Sequence, residues 1–343
     1  MTFIDLFAGI GAFHSALHSE GAECVFASEW DSNCRKTYEE NYKKISPEIF
    51  NANNLDLSGD LFATKFAGDI TLVDPKSIPD HDILCAGFPC QPFSISGKKK
   101  GFNDTRGTVF FNVMEIVKEK RPKVVFLENV KHLIHHDGGN TLKVILKELE
   151  DAGYRISWKL LNAKDFGLAQ NRERIIIIAS ESGEFDFTKV KNLPQKKIRD
   201  IVETNANFEF LTPAEYTILP KELWKTQASG LIFCGYRNKS IRTSGTRPNT
   251  EHLSRVHKQP NRIYHIDGTH PTIPSQESSG RFWIFDGAKV RKLTLNEAYK
   301  LQGFPSSFKK NSNLSAAYNQ IGNSAAIPML KAIYKEIKRQ FKL

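Results

Sequence analysis

The sequence predicts an α/β fold: a doubly wound sheet with a second, smaller domain. Two observations predict it. Up to about residue 180, short apolar runs typical of buried strands alternate with runs typical of helices. Beyond that point the composition changes, and residues 235–262 carry seven Lys or Arg side chains against one acid. We therefore expect the sheet in the first half of the chain and a separate basic domain after it.

The composition excludes several classes of protein. At 343 residues with 40% apolar side chains, the chain can form one large or two medium domains. No apolar run approaches the ~18–20 residues that span a bilayer, so we expect a cytoplasmic protein without membrane contact. The five cysteines are scattered without a Cys-x-x-Cys pair, which argues against a disulfide framework and a metal site. The net charge of +10 indicates a polyanionic partner.

The first forty residues predict a nucleoside site. A strand-like run leads into a loop with Gly9 and Gly11, where the backbone can approach a ligand. The dinucleotide fingerprint would need a third glycine where His14 stands, and the loop has no basic side chain for a phosphate. The second strand ends in Glu29 and Trp30, a carboxylate for ribose hydroxyls and a ring for a base. The pattern favours a cofactor such as S-adenosylmethionine over a glycine-rich turn with a surface acid.

Cys90 lies in a stiff loop between two prolines, directly after the apolar run 82–86. Proline fixes φ and removes a backbone donor, and the residue before each proline is pushed toward extended conformations. The segment is therefore neither a helix interior nor a central strand. A thiol on a rigid loop at a strand end suits a nucleophile. A buried structural cysteine in a proline-rich turn is equally compatible with this segment alone.

Short motifs extend this pattern along the chain in a fixed order. They are Asp-Leu-Phe-Ala-Gly-Ile-Gly at 5–11, Gly-Phe-Pro-Cys-Gln-Pro-Phe-Ser at 87–94, Glu-Asn-Val at 128–130, Gln-Asn-Arg-Glu-Arg at 170–174, Leu-Gln-Gly-Phe-Pro at 301–305 and Gly-Asn-Ser at 322–324. This ordered set resembles the DNA (cytosine-5-)-methyltransferase family of prokaryotic restriction–modification systems. The resemblance covers nearly the whole chain and is absent only between about residues 183 and 288. It implies a Rossmann-like, S-adenosylmethionine-dependent methyltransferase domain with a target-recognition domain.

The resemblance assigns four catalytic residues. Cys90 matches the nucleophile that adds to carbon 6 of cytosine, which makes carbon 5 nucleophilic. Glu128 matches the carboxyl group that contacts the exocyclic amine and ring nitrogen 3, with a helix-capping acid as the alternative. Arg174 matches the contact to the cytosine carbonyl oxygen, and Arg172 the residue that supports the catalytic loop. Ordinary ion pairing is the alternative for both arginines. Cys85, in the preceding strand, is expected in the core.

The resemblance also assigns the cofactor residues, and it implies S-adenosylmethionine without a metal, with S-adenosylhomocysteine as product. The expected contacts are Phe7, Gly9 and Gly11 with the methionine part, Glu29 with the ribose, Trp30, Asp69 and Ile70 with the adenine, and Asn323 in the last motif, which is expected to pack against the first strand.

Double-stranded DNA is the expected partner, and the target cytosine must be flipped out of the duplex to meet a thiol. Basic residues in two segments are expected to contact the DNA. They are Ser94, Lys98, Lys99, Lys100 and Arg106 in a loop that is expected to close over DNA, and Arg237, Arg242, Arg247, Arg255 and Arg262 in the basic block.

The expected domain boundaries follow the motifs. Residues 1–182 form the catalytic and cofactor-binding domain, 183–288 the target-recognition domain, and 289–343 a return segment that completes the catalytic domain. The expected function is modification of a short specific DNA sequence by a monomer, with a cognate restriction endonuclease acting on the same site without a stable complex. A transfer RNA cytosine-5 methyltransferase and a catalytically silent DNA-binding relative are the alternatives.

Overall fold

A computed structural model describes residues 1–50, 65–89, 109–239, 249–275 and 282–343. The chain divides into two compact units. Unit 1 comprises Met1–Leu161, Glu173–Lys191 and Ser324–Leu343, and unit 2 comprises Asn162–Arg172 and Asn192–Asn323. This division differs from the expected boundaries, because residues 162–172 and 289–323 group with unit 2 and residues 183–191 group with unit 1. The Gln170 side chain explains part of the difference, since its Nε2 donates to the Leu301 carbonyl at 3.0 Å.

The described residues of the first sheet form seven strands. They are β1 (Thr2–Leu6), β2 (Glu23–Ser28), β3 (Phe66–Ala67), β4 (Ile83–Ala86), β5 (Val124–Val130), β6 (Arg155–Asn162) and β8 (Glu173–Ser180). Their spatial order is β3-β2-β1-β4-β5-β8-β6. The first five strands in this order pair in parallel, whereas β8 runs antiparallel to β5. These strands are almost entirely buried at the centre of the sheet, as expected for continuous apolar runs between covered faces.

Helices cover both faces of this sheet. In unit 1 they are α1 (Ala12–His18), α2 (Ser32–Tyr42), α3 (Val109–Lys120), α4 (Asn140–Asp151) and α7 (Ile327–Phe341). Val125 and Leu127 pack in one core cluster with side chains of α3 and α4. Phe126, which points to the opposite face, meets Phe13 of α1 edge to face at 5.0 Å. The predicted doubly wound α/β arrangement is confirmed.

The last helix belongs to unit 1, although it comes at the end of the chain. The buried side chains of α7 include Leu330, Ile333, Tyr334 and Ile337 on the predicted apolar face. The Tyr334 hydroxyl donates to the Met1 sulfur at 3.3 Å, and Lys338 Nζ donates to the Glu20 carbonyl at 2.9 Å. The C-terminal segment is thereby anchored beside the first strand and first helix.

Unit 2 has a smaller sheet of its own. Its described strands are β9 (Tyr216–Ile218), β10 (Lys225–Thr226), β11 (Ile232–Arg237), β12 (Arg262–His265), β14 (Trp283–Phe285) and β15 (Val290–Lys292). Their order is β10-β11-β12-β14-β15, and β9 also pairs with β11. A short parallel pair joins β7 (Gln170–Asn171) to β13 (His270–Pro271). The described α-helices of this unit are α5 (Leu295–Lys300) and α6 (Leu314–Asn323).

The parallel strands of the first sheet place the motif residues at one edge. Strands β1, β2 and β4 end just before Phe7, Glu29 and Gly87, and β3 ends two residues before Asp69. Ligands of open α/β sheets bind outside the carboxyl ends of the strands, so this edge is the expected location of a site. Among the described residues, no helix is long and apolar enough to cross a membrane.

Candidate active site

The loop after β1 is shaped by left-handed backbone conformations. Phe7, Gly9 and Gly11 have φ values of 55°, 57° and 83°. Gly11 also lacks room for a side chain, because a Cβ there would lie 2.3 Å from Cε2 of Tyr42. The Tyr42 hydroxyl donates to the Gly11 carbonyl at 2.7 Å. The two glycines are therefore suited to this turn, because glycine adopts left-handed conformations without a steric penalty.

Glu29 lies against this loop. Its Oε2 accepts from the Gly9 amide at 2.8 Å and its Oε1 accepts from the Asp31 amide at 2.7 Å. Burial raises the pKa of the Glu29 carboxyl above its ordinary value, and the two backbone amides oppose that shift. The amides fix the orientation of the carboxylate, whose oxygens each have a further lone pair for a hydroxyl group.

Trp30 and the Asp69–Ile70 pair flank Glu29. The Trp30 ring is 77% exposed, whereas Ile70 is buried. Asp69 Oδ1 accepts from the backbone amide and the hydroxyl of Thr71 at 2.9 and 2.8 Å. An oriented carboxylate, an uncovered aromatic face and an apolar side chain suit a nucleoside. Residues 7–13 contain no basic side chain for a pyrophosphate, so this set of groups fits S-adenosylmethionine better than a dinucleotide.

Glu128 and Arg174 form an ion pair across two central strands. In the register of β5 and β8, Val130 lies opposite Arg174 and Glu128 lies opposite Ile176. Arg174 Nε is 2.9 Å from Glu128 Oε1, and each residue is 8% exposed. Burial lowers the pKa of Arg174, and the Glu128 charge opposes that shift. The structure thus brings together two of the four residues with predicted catalytic roles.

The chain leading to Cys90 contacts the same strand end. A Cβ at Gly87 would lie 3.6 Å from Glu128 Oε2, so the backbone three residues before Cys90 passes beside the carboxylate. Asn129 Nδ2 donates to the Phe88 carbonyl at 2.8 Å, while Asn129 Oδ1 accepts from the Val130 amide at 2.8 Å. Cys90 itself lies outside the described residues. Cys85 is fully buried, as predicted.

Sequence reasoning did not single out Asn129. The available signal is its position beside Glu128, since an amide can donate to one backbone segment while accepting from another.

Arg172 and Asn323 lie in unit 2. Arg172 is almost fully buried, and its guanidinium donates to the carbonyls of Ile273 and Gly322 at 3.3 and 2.9 Å. Asn323 is exposed and donates to Asn319 Oδ1 at 3.2 Å. Arg172 therefore ties three segments of unit 2 together. Its expected support of the loop after Cys90 stays a prediction, as do the expected contact of Asn323 with the cofactor and the packing of its motif against the first strand.

The predicted DNA-contact residues are placed only in part. Ser94, Lys98, Lys99, Lys100, Arg106, Arg242 and Arg247 lie outside the described residues. Arg262 lies opposite Tyr236 in the β11–β12 register, and its Nε donates to the His257 carbonyl at 3.1 Å. Arg237 follows Tyr236 and therefore points to the other face, where its guanidinium lies 5.0 Å from the Trp283 ring centroid.

Arg237 and Arg262 thus point to opposite faces of this sheet, and their expected contacts with DNA stay predictions. Arg255 is exposed. Across the described ranges, no group of three or more His, Cys, Asp or Glu side chains could hold a metal ion.

Comparison with known proteins identifies the family. A model of the family described as C-5 cytosine-specific DNA methylase matches residues 1–339. The chain belongs to the C-5 cytosine-specific DNA methylase family. It is therefore an enzyme that methylates carbon 5 of cytosine in DNA.

Two curated relatives match this chain over nearly its whole length. Type II methyltransferase M.HhaI of Haemophilus parahaemolyticus is 40% identical over 344 residues, which cover 97% of this chain and 93% of the relative. Type II methyltransferase M.HpaII of Haemophilus parainfluenzae is 40% identical over 351 residues, which cover 98% of this chain and 88% of the relative.

Solved structures support the fold. The Dnmt2 methyltransferase of S. pombe matches with a TM-score of 0.69 at 17% identity, and the match covers 100% of both chains. A DNA modification methyltransferase encoded within a prophage of E. coli matches with a TM-score of 0.65 at 18% identity, again over 100% of both chains. At these identities the likeness concerns the fold alone.

Proposed function

We propose that this methyltransferase modifies a cytosine within a short specific sequence of double-stranded DNA, using S-adenosylmethionine and a covalent adduct of Cys90. The buried Glu128–Arg174 pair beside Gly87 carries this proposal, because it supplies a carboxylate and a guanidinium next to the chain that leads to the thiol. The Type II names of the relatives support a role as the modification enzyme of a restriction–modification system.

The proposed reaction begins at Cys90. Its thiolate adds to carbon 6 of the flipped base, and the electron pair of the 5,6 double bond moves toward carbon 5. Carbon 5 then takes up the methyl group. Loss of the carbon-5 proton restores the double bond as the carbon–sulfur bond breaks, and the thiolate is regenerated.

Glu128 and Arg174 contribute by position and charge. Attack at carbon 6 makes the pyrimidine ring electron-rich, and groups already oriented toward the ring stabilise that charge without reorganisation. We propose that the Glu128 carboxyl group contacts ring nitrogen 3 and the exocyclic amine, while Arg174 contacts the carbonyl oxygen. Their mutual ion pair would hold both side chains in place before DNA arrives.

The residues around the first loop would hold the cofactor. We assign the backbone of Phe7, Gly9 and Gly11 to the methionine part, Glu29 to the ribose hydroxyls, and Trp30, Asp69 and Ile70 to the adenine, with Asn323 as a further contact. When bound, the sulfonium of S-adenosylmethionine supplies an electrophilic methyl group and leaves as the neutral thioether S-adenosylhomocysteine. Arg172 is assigned to positioning the loop after Cys90.

Target recognition is proposed for residues 183–288, with residues 1–182 and 289–343 forming the catalytic part. The net charge of +10 supports DNA as the substrate. We propose that side chains of both basic segments contact its phosphate groups. We propose that the enzyme acts on DNA in the cytoplasm as a monomer, and that a cognate endonuclease reads the same site independently.

Transfer of a tritiated methyl group tests the proposal. Wild-type protein should label double-stranded DNA of mixed sequence. Bisulfite sequencing of the labelled DNA should then show methylated cytosines within one recurrent short site. Transfer RNA serves as the competing substrate and Cys90→Ser as the inactive control. Labelling of transfer RNA alone, or full activity of Cys90→Ser, would overturn the proposal.

A further inference from the structure

Arg35 hydrogen-bonds to one backbone segment and packs beside a second at the proposed nucleoside site. It lies in the first turns of α2 and is half-buried. Its Nη1 donates to the carbonyls of Glu29 and Trp30, both at 3.1 Å. A single guanidinium nitrogen thus holds two consecutive carbonyls of the segment that carries the carboxylate and the exposed ring.

The same nitrogen faces the neighbouring segment. A Cβ on Gly68 would lie 3.0 Å from Arg35 Nη1, so the absence of a side chain at Gly68 makes room for the guanidinium. Gly68 directly precedes Asp69. The two segments are also joined by their backbones, since the Glu29 amide donates to the Ala67 carbonyl at 3.0 Å. Arg35 therefore lies where the ends of β2 and β3 meet.

The start of α2 does not depend on Arg35. Asp31 caps this helix, because its Oδ1 accepts from the Cys34 amide at 2.8 Å. Among the described residues, Arg35 has no carboxylate within ion-pair distance. Its positive charge instead favours the ionised form of Glu29, whose pKa is raised mainly by burial. The side chain of Arg35 thus contacts the segment that carries Glu29 and Trp30, and it does not cap the helix.

We propose that Arg35 is a positioning residue that fixes the Glu29–Trp30 segment relative to Gly68–Ile70, and thereby sets the affinity for the nucleoside part of the cofactor. This inference rests on the proposed use of S-adenosylmethionine. Within the described part of the chain, the hydrogen bonds of the Arg35 side chain go to backbone carbonyls, so Arg35 should influence cofactor binding without taking part in the methyl transfer step.

Calorimetric titration of the DNA-free protein tests this directly. Arg35→Ala should bind both S-adenosylmethionine and S-adenosylhomocysteine roughly tenfold more weakly than wild type, as expected for loss of charge-assisted hydrogen bonds. Arg35→Lys should recover part of the affinity. Lys36→Ala, one residue further along the same helix and exposed, is the matched control. At saturating cofactor, the single-turnover rate of Arg35→Ala should equal that of wild type.

Gly68→Ala provides a second variant that leaves Arg35 in place. Its methyl group should displace Arg35 Nη1 and weaken cofactor binding. In the Arg35→Ala background, the same substitution should cause no further loss of cofactor affinity. Equal affinities of wild type and Arg35→Ala, or an undiminished effect of Gly68→Ala in the double variant, would overturn the role of Arg35. Failure of wild type to bind either compound would instead overturn the proposed cofactor.

Discussion

Glu128 and Arg174 illustrate how much depends on single side chains. Both are largely buried in the centre of a sheet, where an unpaired charge is costly, and the ion pair leaves neither charge without a partner. The pair therefore has a structural task as well as its proposed contact with cytosine. Replacing one partner changes both tasks, and a test of catalysis must measure folding and cofactor binding separately.

Glu128→Gln keeps the side-chain volume and removes the charge. We expect its kcat to fall about 100-fold, because an amide cannot exchange a proton with ring nitrogen 3 in the same way. Cofactor affinity should stay unchanged. Glu173→Gln is the matched control, since Glu173 lies on the same strand as Arg174 and forms a half-exposed pair with Lys131. Retention of more than half of the wild-type kcat in Glu128→Gln would contradict the assigned role.

Asn129 is expected to position the chain that leads to Cys90. Asn129→Ala leaves the Phe88 carbonyl and the Val130 amide without their side-chain partner, which should cost about 1–3 kcal/mol of stability. The kcat should fall roughly ten- to hundredfold through misplacement of the thiol. Cofactor affinity, measured by titration, should not change. A normal kcat in a folded Asn129→Ala protein would show that this contact does not position the loop.

At the scale of elements, the alternation of strands and helices along the chain and the motifs at the strand ends were predictable, because apolar runs and glycine loops are local signals. The pairing of Val130 with Arg174 was not, since it depends on an antiparallel register between strands far apart in sequence. The register shift between Phe233 and Gly235 in β11 has no local signal either. Contacts to backbone carbonyls, such as those of Asn129 and Arg35, are likewise invisible in residue spacing.

His14 departs from the dinucleotide fingerprint, and its side chain has a structural role between two helices. It occupies the position where a dinucleotide fingerprint would have glycine. Its side chain is buried between α1 and α2. There its Nδ1 lies 2.7 Å from the Tyr38 hydroxyl, and its Nε2 lies 3.2 Å from the Ser46 hydroxyl. Its ring also stacks on Tyr42 at 4.0 Å. The side chain therefore joins the first helix to the second helix and to Ser46, which follows it.

This arrangement predicts an acid-sensitive fold. Burial lowers the pKa of His14 to about 3, against 6.5 for an ordinary histidine. The unfolded chain therefore binds a proton that the folded chain excludes, so this contribution is complete above pH 6.5 and is lost as the pH falls toward 3. His14→Gln should lower stability at neutral pH and flatten its decline in acid. Denaturant unfolding at several pH values in this window would test it, and parallel curves would contradict it.

At the scale of the whole molecule, the excess of positive charge is the feature that links the fold to its substrate. A net charge of +10 favours DNA irrespective of sequence, whereas the two faces of the second sheet carry different arginines. General affinity and sequence reading are therefore expected to depend on different residues.

Arg255 is the described arginine best placed for a phosphate contact, because it is exposed in the basic block. Arg255→Ala should weaken DNA binding similarly for all sequences and reduce the slope of log affinity against log salt by about 1. Lys335→Ala is the control, since Lys335 is paired with Glu20 in unit 1. An unchanged salt slope in Arg255→Ala would exclude the contact.

Covalent trapping on DNA that contains 5-fluorocytosine at the methylated position tests the central claim most directly. Fluorine cannot leave carbon 5 as a proton does, so the adduct should persist once the methyl group has been transferred. The account predicts a denaturation-resistant complex that requires S-adenosylmethionine, maps to Cys90 by peptide mass and is absent in Cys90→Ser. Methylation of ordinary DNA without any trapped complex on the fluorinated DNA, or a complex that forms equally with Cys90→Ser, would contradict it.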